Sequence, residues 1–282
     1  MNGKTFKQYI FIFTLSMISI GVNANNPLAT KQQVGMFKNS KTCVVLESGV
    51  SFFNAPVKEA VQKYWKATGY EFIDQKEFEI RRKDPKYSFI VLMQGAYDKD
   101  PGGVSYSYVS LLLGDGSDNL TKMPEFCSVP LSYAGDLDAD YEYIVPAVIK
   151  FMQIHAKKLE TKRFLISLNG LKYYNGMGKF KDKVLLLNKN MMASDANTTE
   201  KIKGAYPYYV KLLSTTEIQS ELATNPTNTL FNFHVGPTQH IGSGKCFEMI
   251  FDTDGNLYYY NSRKITNDNE DGFNLKDFSH LR

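Results

Sequence analysis

Three side chains in the last part of the chain, His234, His240 and Cys246, carry the chemistry of metal ligands and recur at equal intervals. Imidazole and thiolate both suit zinc, and a hairpin could bring the three together. The spacing argues against this, because zinc ligands are usually pre-arranged at i, i+2 or i+4 or in C-x-x-C knuckles. His234 alternates outward from Phe233 and Val235, while Cys246 is read as pointing inward. No metal site is expected, and a polar hairpin loop is the simpler reading. The neighbouring run QHIGSGKC fails as a phosphate loop. Gln239 stands where the first glycine belongs, and Cys246 where a magnesium-binding Ser or Thr belongs.

Other clusters resolve in the same way. Asp136, Asp138, Asp140 and Glu142 offer oxygen donors for calcium, but the EF-hand register is absent, and acidic residues ahead of a helix are favoured by its dipole alone. No G-x-S-x-G, supported S-x-x-K or H-E-x-x-H pattern occurs. His155 falls on an apolar helix face and reads as a core histidine, and Arg81-Arg82-Lys83 reads as a solvated helix end. No catalytic residue and no cofactor are expected. Cys43, Cys127 and Cys246 are odd in number; buried free thiols are the favoured reading, with one bridge plus a free thiol as the alternative. Tyr258-Tyr259-Tyr260 must turn at least one ring outward from its strand, which makes these tyrosines the candidates for partner binding.

The elements that would position these groups follow from periodicity. Leu230 to Ile265 reads as three strands in a meander, with alternating Phe231, Phe233 and Val235 and a turn at Asp252-Thr253-Asp254-Gly255. Earlier, Lys41–Ser48 reads as a strand. Asn54 caps a helix with Val57, Ala60, Val61, Tyr64 and Trp65 on one face. A strand Tyr70–Ile73, a helix opened by Asp74-x-x-Glu77, and hairpin strands Ser88–Met93 and Ser105–Leu113 follow. This order recurs. Val44 and Val184, the caps Asp74 and Ser214, Gly95 and Gly236, and Gly116 and Gly255 match at nearly constant separation. The fold class expected is α/β or α+β: two related three-layer-like units, each a small mixed sheet with a hairpin or meander packed on helices. A helix over Tyr141–Lys162 lies between the copies, and the last strand of the second copy has no evident counterpart. The tail carries a short helix with Phe273, Leu275, Phe278 and Leu281.

The amino terminus has Lys4 and Lys7, an apolar stretch Tyr9–Gly21 and Val22-Asn23-Ala24, the pattern of a cleaved bacterial export signal. The expected division is a signal peptide at 1–24, a leader of low pattern at 25–40, a first unit at 41–175 and a second at 176–282. No later run is apolar and long enough to span a bilayer. With 33 Lys+Arg against 29 Asp+Glu the formal charge is +4, too small and dispersed for nucleic acid.

The order strand, helix, strand, helix, strand, strand over Lys41–Gly116, and again over Lys181–Gly255, resembles the periplasmic α/β domain of the Tol-system translocation protein and of curli-secretion lipoproteins. Element order alone carries the likeness, since no lipidation cysteine is present. The resemblance implies a binding or assembly module of the cell envelope without catalysis. The expectation is a non-enzymatic exported protein, periplasmic first and surface-bound or extracellular second, with an envelope protein partner and peripheral association with an outer-membrane assembly. The alternative is a secreted enzyme or a small-ligand or metal-binding protein. Its site would lie between the units, around His234, His240 and the loop Ala96–Gly103.

Overall fold

The computed structural model describes residues 26–96, 104–133, 141–224, 226–237 and 244–281. The expected export signal, His240, nearly all of the loop Ala96–Gly103, and Asp136, Asp138 and Asp140 lie outside them.

The chain forms a mixed α/β structure with two five-stranded sheets. After α1 (Lys31–Phe37), the first unit runs β1 (Lys41–Val45), α2 (Asn54–Tyr64), β2 (Gly69–Ile73), α3 (Gln75–Arg81), β3 (Tyr87–Ala96), β4 (Ser105–Leu113) and β5 (Glu125–Tyr133). Helix α4 (Val145–Asn169) leads to β6 (Val184–Asn188), α5 (Thr199–Lys203), β7 (Val210–Leu213), α6 (Thr215–Ala223), β8 (Thr229–Val235), β9 (Lys245–Asp252), β10 (Leu257–Lys264) and α7 (Leu275–Ser279). The sheet orders are β2-β1-β3-β4-β5 and β10-β9-β8-β6-β7. Read from the matching end they are the same order, with three parallel strands followed by two antiparallel ones.

The second copy's last strand therefore has a counterpart, β5, which the sequence reading misses. Its run EFCSVPLSY contains Pro130, which cannot donate to a ladder and argues against a central strand. In the fold β5 is an edge strand, its pairing with β4 shifts register beside Pro130, and its outer side is met by a bridge from Leu28 to Glu125. The segment expected as a leader of low pattern contains α1, opened by a capping box between Thr30 and Gln33. Helix α1 buries Val34 and Phe37, and the Phe37 ring sits 4.7 Å from that of Phe126.

The two copies bury their helices on opposite faces. In the first, α2 packs Val57, Ala60 and Val61 with Val44 and Ile90 in a core shared with α4, while Phe78 of α3 covers Cys43, Val45 and Phe89 on the outer face. In the second, Ile202 of α5 lies on the outer face with Leu185, Leu187 and Leu230, and Ile218 of α6 joins the shared core with Leu186 and Phe231. Two crossovers of one hand that move first one way and then the other along a sheet must lie on opposite faces. The winding is the same, and the face turned inward differs. One continuous apolar core thus lies between the sheets and takes in α2, α4 and α6.

Two local expectations are corrected. Asn54 does not cap α2 with its side chain; its amide instead brackets Glu47, accepting from the Glu47 N–H and donating to its carbonyl at 2.9 Å each. Arg82 is no solvated helix end: it is buried, donating to the carbonyls of Ser117 and Asp118. Asp74 and Ser214 cap α3 and α6 as the spacing predicts. No helix among the described residues is long and apolar enough to cross a membrane.

The matched turn glycines carry different burdens. Gly116 and Gly255 both have positive φ, at 78° and 84°. A Cβ at Gly116 would stay 3.7 Å from its nearest neighbour, whereas at Gly255 it would press on the Lys150 Cβ and come 2.9 Å from the Ala147 carbonyl of α4. Gly116→Ala should cost about 1 kcal/mol from backbone strain alone, and Gly255→Ala about 3 kcal/mol, because overpacking is added. Equal losses on denaturant unfolding would refute the idea that the second turn is wedged against α4.

Candidate functional site

A cleft of about 670 Å³ opens where the two copies meet over α4. Its walls are Glu59, Lys63 and Tyr64 of α2, Gln219 and Leu222 of α6, and Glu142, Tyr143, Pro146 and Lys150 at the start of α4, with Phe231 of β8 beneath. The Lys150 ammonium donates to the Thr253 carbonyl at 2.6 Å and lies 4.1 Å above the Tyr64 ring. One side chain of α4 therefore ties the second unit's turn to the first unit's helix. A concavity between the units exists, and His234 is not part of its lining. His234 lies on the opposite face of the second sheet from Phe231, which follows from the two-residue period of a strand.

That outer face carries a buried polar cluster. His234 and Glu248 are opposed on β8 and β9, and Cys246 faces the same side, not the inner side the sequence reading gives it. The His234 Nε2 meets the Asp271 Oδ1 at 2.8 Å. Arg263 of β10 approaches the Glu248 carboxylate at 3.1 Å and donates to the carbonyls of Asn269, Glu270 and Gly272. The Cys246 thiol donates to Glu248 at 3.1 Å. A Cβ at Gly236 would overlap the Asp271 carboxylate, so the end of β8 must be glycine for the loop to close on His234.

Burial dominates the electrostatics of this cluster. It pushes the Glu248 pKa up to about 7, the Asp277 carboxylate adding to the rise and His234 and Arg263 opposing it. For His234 burial works toward the neutral form, but the Asp271 carboxylate outweighs it and the net shift is upward. Burial also pushes the Cys246 thiol far up, so it is neither a nucleophile nor a ready thiolate ligand at neutral pH. Among the described residues no group of three His, Cys, Asp or Glu side chains is arranged to hold a metal ion. The cluster's chemistry is that of a staple between sheet and C-terminal loop.

Cys43, Cys127 and Cys246 are all free and buried. His155 is buried, its Nδ1 2.8 Å from the Tyr174 hydroxyl, and burial lowers its pKa to about 4. Of the tyrosine triplet, Tyr259 is buried with its hydroxyl donating to Asp277, while Tyr258 and Tyr260 are half-buried. Asn175 covers the β10 edge, its amide pairing with both the N–H and the carbonyl of Tyr260. Sequence reasoning missed Glu248, Arg263 and Asp271. A lone glutamate in the apolar run CFEMIF was the available signal. It also missed that α4 runs on to Asn169, leaving Phe164 and Leu168 71% and 66% exposed.

No family model, no curated protein and no solved structure matches this chain.

Two measurements follow from the burial pattern. Glu248 and His234 both hold protons more tightly folded than unfolded, so their stabilising contribution is full at acidic pH and is lost as pH rises. For Glu248 the loss runs from its ordinary 4.5 to about 7; for His234 it begins above 6.5. The melting temperature should fall as pH rises from about 5 to about 8, and Glu248→Gln should flatten the lower part of that fall. The fall that remains in the variant comes from Glu125, which burial raises to about 7, and from His234 above 6.5, opposed below 6.5 by His155, whose lowered pKa makes stability rise with pH there. A slope identical in the variant would remove Glu248 from the account. Separately, a chromogenic thiol reagent should find no reactive cysteine in the native protein and all 3 in denaturant; one reactive native thiol would contradict the burial.

Proposed function

We propose that this chain is a non-enzymatic, exported cell-envelope module that works through protein contacts, in the periplasm and peripheral to an outer-membrane assembly. The observation that carries the reading is the last two turns of α4. Upstream, α4 is the core helix of the molecule, burying Val148, Phe151, Met152 and Leu159. Downstream, Ile166 stays buried while Phe164, Leu165 and Leu168 are exposed, with Phe164 and Leu168 one turn apart on one face. An apolar row on a helix anchored by its other half is pre-ordered for docking. Lys157, seven residues before Phe164, lies on the same face, and the nearby Glu160 is already paired with Lys38 at 2.9 Å. The partner that fits is a protein with an apolar groove rimmed by carboxylates. The shared element order with the periplasmic domains of Tol-system and curli-secretion proteins supports an assembly role, and the export pattern at the amino terminus supports the compartment.

A second reading, a small-ligand protein with its site between the units, is favoured by the cleft over α4 rather than by the histidines first considered for it. The two readings part under one experiment. A photocrosslinking residue at Leu168 should give one discrete adduct with an envelope protein in intact cells, and Phe164→Asp should abolish it without changing the melting temperature. Adducts spread over many proteins, or to lipid, together with a ligand that shifts signals of Tyr64 and Gln219, would favour the second reading and sink the first.

A further inference from the structure

A second cavity, of about 580 Å³, lies over the outer side of β10 and differs in kind from the cleft at α4. Its lining contains no aliphatic side chain: four asparagines, Lys172, Lys276, Arg263, Asp277 and the imidazole of His280 are all polar, and Tyr259 adds a phenol ring. The floor is rigid. Asp277 is buried and accepts from the Tyr259 hydroxyl at 2.8 Å and the Asn261 amide at 3.0 Å, while its second oxygen accepts from the Asn274 N–H. Arg263 is held by the Gly272 and Glu270 carbonyls, and its Nε is buried with no hydrogen-bond partner. The rim is different. Lys172 and Lys276 are exposed and form no ion pair among the described residues, so the cavity mouth is cationic over a floor of amides and one satisfied carboxylate.

We propose that this cavity binds a small hydroxylated ring carrying a negative group, that is, an anionic monosaccharide unit. Asp277 is spent on Tyr259, Asn261 and Asn274, but the amides of Asn261, Asn269 and Asn274 each use only one N–H among the described residues and Asn261 keeps its Oδ1, a mix of donors and acceptor that suits hydroxyls, since each is donor and acceptor at once. A cavity of this size holds one such ring and excludes a long apolar ligand, whose burial these polar walls would not reward. The two lysines at the mouth favour a negative group on the ligand, and their freedom suits a point anion that can be met from either side. The binding groups come from β10, from α7 with its cap, and from the segment Lys172–Asn175 that follows α4, and none of them belongs to the exposed row Phe164–Leu168.

The anion can be a carboxylate or a phosphate, and titration calorimetry on the mature protein separates them. The probes are galacturonate, glucose 6-phosphate, glucose and inorganic phosphate. At least one of the two sugar anions should bind, about tenfold more tightly than glucose and than inorganic phosphate. Lys172→Gln with Lys276→Gln, both at exposed positions, should weaken that binding about tenfold while leaving the melting temperature unchanged. Preference for galacturonate assigns the carboxylate and preference for glucose 6-phosphate the phosphate. Failure of all four probes at millimolar concentration, equal binding of bare phosphate and sugar phosphate, or affinity indifferent to the two lysines would each overturn the proposal.

Discussion

The rest of the structure depends on one constraint: each sheet must hide one apolar face, and both hide it against the same helices. Val44, Ile90 and Leu111 from the first sheet and Phe231, Met249 and Phe251 from the second all belong to a single core with α2, α4 and α6. Burying side chains of this size is worth about 1.5 to 3 kcal/mol each, so neither sheet could leave that face to water. Helix α4 is the shared wall. That explains why its first four turns are buried on several sides and why its amphipathic character is weak in that stretch, with Val145, Val148, Ile149, Phe151 and Met152 all enclosed.

The same constraint accounts for the face exchange between the copies. With identical strand order and one crossover hand, a unit has two distinguishable faces, one under its first crossover helix and one under its second. If both units had turned their first crossover helix inward, α5 would face α2. Helix α5 has only five residues and buries one side chain, Ile202. The longer α6, with its full capping box at Ser214 and Glu217, is the helix able to cover apolar strands, and it is the one turned inward. The weakness of the second copy's first helix, visible in the sequence, thus has a structural correlate: that helix was left on the outer face, where α7 with Phe278 and the buried Phe273 beside it share the covering.

Much of this was legible in the residues, and the failures have physical causes. Strand and helix periods placed α2, α3, β3, β4 and the meander, and the recurrence of glycines and caps exposed the duplicated order. Edge elements were harder. Strand β5 was hidden by Pro130, and α1 by a polar composition that its capping box overrides. A period of two says which side chains of one strand share a face, but not which of a neighbouring strand's residues join that face, because that depends on the pairing register. That is why Cys246 was placed on the wrong side. The cavities were illegible for a different reason: their walls come from segments far apart in the chain, such as Lys172 and Lys276, whose proximity no local pattern encodes.

The polar cluster at the far end of the second sheet is the cost of an irregular cover. On the first sheet the outer face is closed by α3, which satisfies its own backbone, and the residues beneath it, Cys43, Val45, Phe89 and Leu112, are apolar or nearly so. On the second, the equivalent corner is covered by the segment 266–274, which is not helical and turns the carbonyls of Asn269, Glu270 and Gly272 toward Arg263. Such groups cannot be buried unpaired without a penalty of about 1 to 3 kcal/mol each. Arg263, projecting from a rigid strand, supplies three of them with one guanidinium, and Glu248 and His234 follow because a buried cation needs a carboxylate and the loop needs Asp271 anchored. Once that network fixes the loop, the position of α7 and its cap is fixed as well, and with it the set of amides that line the outer cavity. Binding geometry there is a by-product of closing the sheet with coil instead of helix.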